Sequence, residues 1–303
     1  MHDATAPKPT TSVQRVMGWR SRPREYARLM RMDRPIGAWL LLWPALWALW
    51  ISADGRPMQH VFAIFVAGTF LARSAGCVIN DVADRRYDAH VRRTAERPLA
   101  RGAVSVAEAL ALFVVLGLAA LALVIPLNAL SQRLALIGGV VAVIYPFLKR
   151  FFPLPQAWLG IAFAWSVPMA YAAQTGAVPP IGWVLFAASL CWIVAYDTLY
   201  AMVDREDDLR IGIRSSAILF GACDRHAVAL LLGAALALLA YVGLESGLDG
   251  WFLGGLAVAA ALGLRQLWMA RARDPAGCFR AFLDNNWFGC AVFVGIALDY
   301  VFR

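Results

Sequence analysis

The stretch PIGAWLLLWPALWALWIS, residues 35–52, is apolar throughout and carries no charged side chain. The hydrocarbon core of a bilayer is about 30 Å thick and is crossed by a helix of about 20 such residues. Comparable runs follow one another to the end of the chain, so the sequence predicts an all-α, polytopic membrane protein with nine transmembrane helices. The predicted spans are 35–52, 58–80, 104–126, 131–148, 157–174, 180–203, 226–246, 249–269 and 283–301.

The composition supports this class. The chain is 61% hydrophobic and only 16% charged, whereas a soluble domain is about 45–50% apolar and about 25% charged. No polar stretch between the apolar runs is long enough for a separate soluble domain, and the first run starts too late for a signal peptide. We therefore expect an N-terminal arm, residues 1–34, and a single transmembrane domain, residues 35–303.

The basic residues predict the orientation. Of the 28 Lys and Arg residues, 24 fall on one side of the predicted spans, Arg56, Arg133 and Arg303 fall on the other, and Arg73 lies within a span. Because short basic loops stay in the cytoplasm, we expect a cytoplasmic N-terminus in a bacterial inner membrane. The arginine-rich arm leaves a mitochondrial inner membrane as the alternative. This distribution also accounts for the net charge of +8, so nucleic-acid binding is not expected.

Two acidic clusters follow even-numbered spans. In NDVADRRYD, residues 80–88, four polar residues fall within an arc of roughly 100° of a helix. In YDTLYAMVDREDD, residues 196–208, four more share a similarly narrow arc. Both clusters would open at the same membrane face and could converge there. The two faces comprise Asn80, Asp81, Asp84 and Asp88, and Asp197, Tyr200, Asp204 and Asp208.

Hard oxygen ligands of this kind suit Mg²⁺, which is usually shared between one or two carboxylates and substrate phosphates. A metal ion would bridge the carboxylates to a diphosphate and stabilise the charge that develops as its carbon–oxygen bond breaks. Basic residues that could bind phosphate oxygens are expected on the same face. The candidates are Arg85, Lys149, Arg150 and Arg214.

At these residues the sequence resembles the UbiA superfamily of intramembrane aromatic prenyltransferases, and within it the 4-hydroxybenzoate branch. RMDRPIGAWLLLWPALWALW, TAERPLARG, YPFLKR and AMVDREDDLRIGIRSSAILFG carry the resemblance beside the two acidic clusters. Positions 34 and 214, often lysine in the family, are arginine here. The resemblance implies nine helices around a central cavity, with the loops after helices two and six forming a cytoplasmic cap.

The resemblance also implies Mg²⁺-dependent transfer of a polyprenyl group from polyprenyl diphosphate to the ring of 4-hydroxybenzoate, in contact with membrane lipid, which gives 3-polyprenyl-4-hydroxybenzoate in ubiquinone biosynthesis. Asn80, Asp84, Asp204 and Asp208 would bind the metal, and Arg31 or Arg34 would anchor the acid. Catalysis is assigned to Asp81, Asp88, Asp197 and Tyr200, with the ring proton leaving to a carboxylate or to the released diphosphate. No obligate protein partner is expected.

Other functions remain open at this point. The acceptor could be a naphthoate, homogentisate or a porphyrin, since residue chemistry does not choose among them. A transporter also uses intramembrane carboxylates, although its site would lie near the midplane of the membrane. The signature of the CDP-alcohol phosphotransferases begins with Asp-Gly, followed shortly by Ala-Arg, and ends in two further aspartates. This chain has no such arrangement. The five cysteines show no paired spacing, so neither a disulfide nor a zinc site is expected.

Overall fold

The computed structural model describes residues 22–89, 91, 93–148 and 150–303, and this part of the chain contains helices and no strands. The remaining residues, most of the predicted arm and Lys149 among them, lie outside the described part. The helices are α1 (Arg22–Leu29), α2 (Ile36–Ile51), α3 (Gln59–Asp88), α4 (Val106–Val124), α5 (Ala129–Leu148), α6 (Pro155–Ala164), α7 (Ser166–Thr175), α8 (Pro180–Ile211), α9 (Ser216–Phe220), α10 (Asp224–Glu245), α11 (Gly250–Met269) and α12 (Pro275–Phe302).

The predicted all-α membrane class is confirmed. Within the described residues, seven helical units are long and apolar enough to cross a membrane: α3, α4, α5, α8, α9 continued by α10, α11 and α12. Helix α2 is apolar as well but has only 16 residues. The count of nine spans and the cap therefore stay predictions.

The predicted span 157–174 is not one continuous helix. It is divided into α6 and α7, with Trp165 between them. Pro168 explains the break, because it has no N–H to donate to the carbonyl of Ala164, and its ring clashes with that carbonyl. The span stays a prediction, and the structure shows that its helix is interrupted at Trp165.

Helices α3 and α8 run on past their predicted membrane spans. α3 continues from the span 58–80 to Asp88, and α8 continues from the span 180–203 to Ile211. α8 ends at Gly212, whose φ of 73° is left-handed and is readily adopted by glycine. Both acidic clusters therefore lie on regular helix, so their residues keep the angular spacing that the sequence implies.

Aromatic side chains form the core between α2, α8 and α12. Trp192 is fully buried and stacks on Phe288, with 5.6 Å between the ring centroids. Its indole N–H donates to Asn285 Oδ1 at 2.9 Å, and that of Trp47 donates to the Gly289 carbonyl at 3.1 Å. These bonds satisfy the polar atoms of buried indoles, as is usual for tryptophan. They fix α12 against the helices that carry the site.

Candidate active site

A cavity of about 1320 Å³ opens between the ends of α3 and α8. Both acidic faces contribute to its wall, and the segment between α3 and α4 and residues of α2, α4, α5, α6, α7 and α12 complete it. Asp84 of α3 and Asp208 of α8 thus share one compartment. The predicted site residues that line the cavity are Arg31, Arg34, Asn80, Asp81, Asp84, Asp88, Asp197, Tyr200, Asp204, Asp208 and Arg214.

Two predicted phosphate ligands do not line this cavity. Arg85 donates to the carbonyl of Val82 in its own helix at 2.9 Å. Arg150 donates to the Ala83 carbonyl at 2.8 Å, and its guanidinium lies 5.4 Å from the ring centroid of Tyr87. Arg150 therefore braces the end of α3, and the structure gives neither residue direct access to the cavity.

Two arginines hold the carboxylates of α3. Nη2 of Arg31 donates to both oxygens of Asp81, at 2.8 and 2.9 Å. Nη1 of Arg97 donates to Asp81 at 3.0 Å and also reaches Asp88, at 2.9 Å to Oδ2. Only 1% of Asp81 is exposed, so this carboxylate is enclosed by the two guanidinium groups. Asp81 consequently positions Arg31 and Arg97 at the mouth of the cavity.

A second ion pair closes the mouth on the side of α8. Arg93 donates from Nε to Asp204 Oδ1 at 3.0 Å and from Nη2 to Oδ2 at 2.5 Å. The same guanidinium lies 4.7 Å from the centroid of the Tyr200 ring, within cation–π range. This bidentate ion pair connects the segment between α3 and α4 to α8.

Arg93 and Arg97, in the segment between α3 and α4, are permanent cations. Burial disfavours the charged guanidinium of Arg97, but the charges of Asp81 and Asp88 outweigh burial and raise its pKa. Burial likewise opposes the charge on Arg93, and the neighbouring Tyr200 and Asp204 raise its pKa overall. Neither side chain can act as a proton donor at physiological pH. They can bind anions, although neither was among the predicted phosphate ligands.

Arg214 lies at the same mouth, after the end of α8. Its Nη1 donates to the Phe151 carbonyl at 2.7 Å, which holds the side chain against the segment that follows α5. Arg34 also lines the mouth, but its side chain is 76% exposed and lies 4.0 Å from Asp33. Arg214 is therefore fixed by a neighbour, whereas Arg34 is largely surrounded by solvent.

The oxygen donors suit a metal only together with a ligand. Within the described residues, no three His, Cys, Asp or Glu side chains are grouped so that they could hold a metal ion. Mg²⁺ commonly takes one or two carboxylates and completes its shell with water and substrate phosphate. The donors that line the cavity, Asn80, Asp84 and Asp208 among them, are of that chemical type.

Arg73 is a cavity residue that the sequence analysis left aside. It lies in the apolar part of α3, lines the cavity, and its guanidinium is 5.8 Å from the ring centroid of Phe163. Its Nε is buried and has no hydrogen-bond partner among the described residues. Gly37 of α2 makes room for it, since a Cβ there would lie 2.4 Å from that Nε. A charged residue inside an apolar span was the available signal, because such residues are functional by default.

Aromatic rings line the cavity below its acidic mouth. The ring of Tyr200 lies 4.6 Å from that of Phe282, and Tyr196 and Phe279 lie beside them, all four facing the cavity. The negative face of an aromatic ring attracts a cation. This wall could therefore stabilise positive charge that forms next to the carboxylates.

The remaining wall of the cavity, formed by α4 and α5, is apolar and partly exposed at the surface of the protein. Helices α4 and α5 contribute Leu118 and Val140, which are 62% and 59% exposed although they line the cavity. Few side chains of these two helices are buried in the protein. A chain-like apolar ligand could extend along this side while its polar head stays at the mouth.

The fold and the cavity show that the chain is a polytopic helical membrane protein with acidic and basic residues at one end of a large cavity. Comparison with known families identifies the protein more closely than this class, because the model of the UbiA prenyltransferase family matches residues 41–291. The chain therefore belongs to the UbiA prenyltransferase family. It is 54% identical over 282 residues to the 4-hydroxybenzoate octaprenyltransferase of Methylococcus capsulatus, which covers 93% of this chain and 97% of that protein.

Solved structures agree with this assignment. A UbiA homologue from Aeropyrum pernix K1 has a TM-score of 0.75 at 27% identity, covering 88% of this chain and 97% of the other. A homologue from Archaeoglobus fulgidus, bound to GPP and Mg²⁺, has a TM-score of 0.68 at 17% identity and covers 90% and 99%. The second likeness supports the fold alone.

Proposed function

We propose that this protein transfers a polyprenyl group from polyprenyl diphosphate to the ring of 4-hydroxybenzoate, giving 3-polyprenyl-4-hydroxybenzoate in ubiquinone biosynthesis. The observation that carries the proposal is that Asp84 and Asp208, from two separate helices, line one cavity. The 54% identity to a 4-hydroxybenzoate octaprenyltransferase favours this acceptor over a naphthoate, homogentisate or a porphyrin. The proposed location is a bacterial inner membrane, with the N-terminus in the cytoplasm.

Asn80, Asp84, Asp204 and Asp208 would hold Mg²⁺ together with the diphosphate. When bound, the metal would neutralise charge on the diphosphate leaving group. Asp204 would then exchange its contact with Arg93, and the released guanidinium would be free for a phosphate oxygen. Arg97 and Arg214, which line the same mouth, would donate to the remaining oxygens.

Arg73 would anchor the carboxylate of the aromatic acid. The arginines favoured by the sequence analysis are less suited to it, because Arg31 is engaged by Asp81 and Arg34 is mostly exposed. Arg73 lines the cavity, and its buried Nε–H has no hydrogen-bond partner among the described residues. A carboxylate would satisfy that donor, and the resulting charge-assisted pair would fix the orientation of the ring.

The reaction would begin when the bond between the allylic carbon and the diphosphate oxygen breaks and both electrons leave with the diphosphate. The ring wall around Tyr200 and Phe282 would stabilise the allylic cation and exclude water. The ring carbon ortho to the phenol would then form the new carbon–carbon bond. Its proton would leave to Asp88, to Asp197 or to the released diphosphate, while Asp81 stays in place as the holder of Arg31 and Arg97.

A product assay tests this proposal. The purified protein is incubated with one polyprenyl diphosphate, with and without Mg²⁺, and with each of four acceptors: 4-hydroxybenzoate, dihydroxynaphthoate, homogentisate and a porphyrin. We expect a prenylated product from 4-hydroxybenzoate alone, and only with Mg²⁺, as measured by mass spectrometry. Prenylation of another acceptor in preference, or equal yield without metal, would show that the assignment is wrong.

A further inference from the structure

A second, smaller cavity of about 380 Å³ lies at the junction of α11 and α12. None of its lining residues lines the large cavity. It is at the same end of the molecule as the acidic clusters, because Arg273 in this junction donates to Asp224, which Arg205 of α8 also contacts. It therefore lies at a membrane face and outside the proposed active site.

The small cavity is strongly basic. Arg265, Arg271 and Arg280 line it, and Asp274 is the single carboxylate in its wall. Asp274 is already engaged, because its Oδ2 accepts from the backbone N–H of Gly277 at 2.7 Å as the N-cap of α12. Arg265 lies 3.3 Å from Asp284, whereas Arg271 and Arg280 form no ion pair with any described carboxylate. Three arginines against one carboxylate therefore leave the described wall of the cavity with a net positive charge.

The residues beside the small cavity are typical of the membrane depth at which lipid headgroups lie. Trp268 lines the cavity, is 63% exposed and lies 3.9 Å from the guanidinium of Arg271. Exposed tryptophan is enriched at the level of the headgroups, where one part of the ring is wet and the other apolar. One turn further into the membrane on the same face of α11, Leu264 is 70% exposed. An apolar strip therefore begins directly beside the charged cavity.

We propose that this cavity binds the phosphate group of an anionic phospholipid. Arg271 and Arg280 would donate to the phosphate oxygens, and an acyl chain would lie along Leu264 on α11. Basic pockets between transmembrane helices are suited to such headgroups, because the positive charge lies at the headgroup level and apolar surface lies next to it, at the depth of the acyl chains. A free phosphate ion would use the arginines but gain nothing from the apolar strip.

The test measures lipid retention by the full-length protein in nanodiscs. The double variant Arg271→Gln with Arg280→Gln is compared with a control, Arg24→Gln with Arg210→Gln, which removes two exposed arginines outside the small cavity. Native mass spectrometry after delipidation counts the phosphatidylglycerol and phosphatidylcholine that remain bound. We expect the cavity variant to bind phosphatidylglycerol about 30-fold more weakly, since each arginine near the surface adds to anionic lipid binding, and the control to bind as the wild type does.

Two further arms make the result decisive. Phosphatidylcholine should bind weakly and equally to all three proteins, because its headgroup carries no net charge. Inorganic phosphate should fail to displace the lipid at millimolar concentration. An equal loss in both double variants would indicate general charge attraction and overturn the proposal, as would no loss in either. Displacement by inorganic phosphate would assign the cavity to the free ion instead.

Discussion

Arg93 forms a bidentate ion pair with Asp204, although 111 positions separate the two residues in the chain. Their side chains are 30% and 15% exposed, so solvent screens the pair only in part. The pair ties the segment between α3 and α4 to the end of α8 at the mouth of the cavity. A diphosphate with its metal would compete for both partners.

A double-mutant cycle tests whether Arg93 and Asp204 act as a unit. Arg93→Gln, Asp204→Asn and the double variant are compared by the free energy of unfolding of the substrate-free protein in an SDS titration. Residues in direct contact usually show a coupling energy of about 0.5–3 kcal/mol, so the double variant should lose less stability than the two single variants together. Strictly additive losses would mean that the two residues act separately.

Replacing Asp84 or Asp208 by alanine should abolish Mg²⁺-dependent transfer, because each would remove an oxygen ligand for the metal that activates the leaving group. We expect a loss of at least about 100-fold in kcat, the order found when a group that stabilises the transition state is removed. Asp207→Ala is the matched control, since Asp207 is on the same helix but does not line the cavity. Full activity in either cavity variant would refute the metal assignment.

Arg73→Gln should raise the KM for 4-hydroxybenzoate about 10- to 100-fold, as expected for the loss of a hydrogen-bonded charge pair. The KM for polyprenyl diphosphate should stay nearly constant. The substrate supplies a control: wild-type protein should prefer 4-hydroxybenzoate to the neutral 4-hydroxybenzamide, and the variant should treat the two alike. If the variant still prefers the acid, its carboxylate is bound elsewhere.

Asp224→Ala should destabilise the protein without touching the cavity. Asp224 is fully buried and is held by Arg205 and by Arg273, the latter at 3.0 Å. Its removal takes one carboxylate partner from each of two guanidinium groups. Arg205 and Arg273 are 24% and 38% exposed, so water replaces part of that contact, and we expect a cost of about 1–3 kcal/mol. An SDS unfolding titration measures the loss. Asp207→Ala, which removes the ion pair with the exposed Arg210, should change the unfolding free energy little.

The helix faces of the site could be read from the sequence. Asn80 and Asp88 share a face because residues of an α-helix turn by about 100° each, whatever surrounds them, and the structure keeps α3 helical as far as Asp88. The break at Trp165 could also have been predicted from the sequence, because Pro168 interrupts a helix. A hydropathy pattern alone does not show it, since the residues on both sides of the proline are apolar. Arg73 was visible as a charge in an apolar span, yet its place in the cavity depends on the room left by Gly37.

Hydropathy and helical periodicity were enough to predict a helical membrane protein with two acidic helix faces, because both depend on residues that are close together in the chain. The contacts between distant residues could not be predicted in this way: Arg31 pairs with Asp81 across 50 positions, Arg93 pairs with Asp204, and Arg85 does not line the cavity. The ion pairs that form depend on how helices far apart in the chain pack against one another. No local sequence pattern predicts the distance between two such side chains.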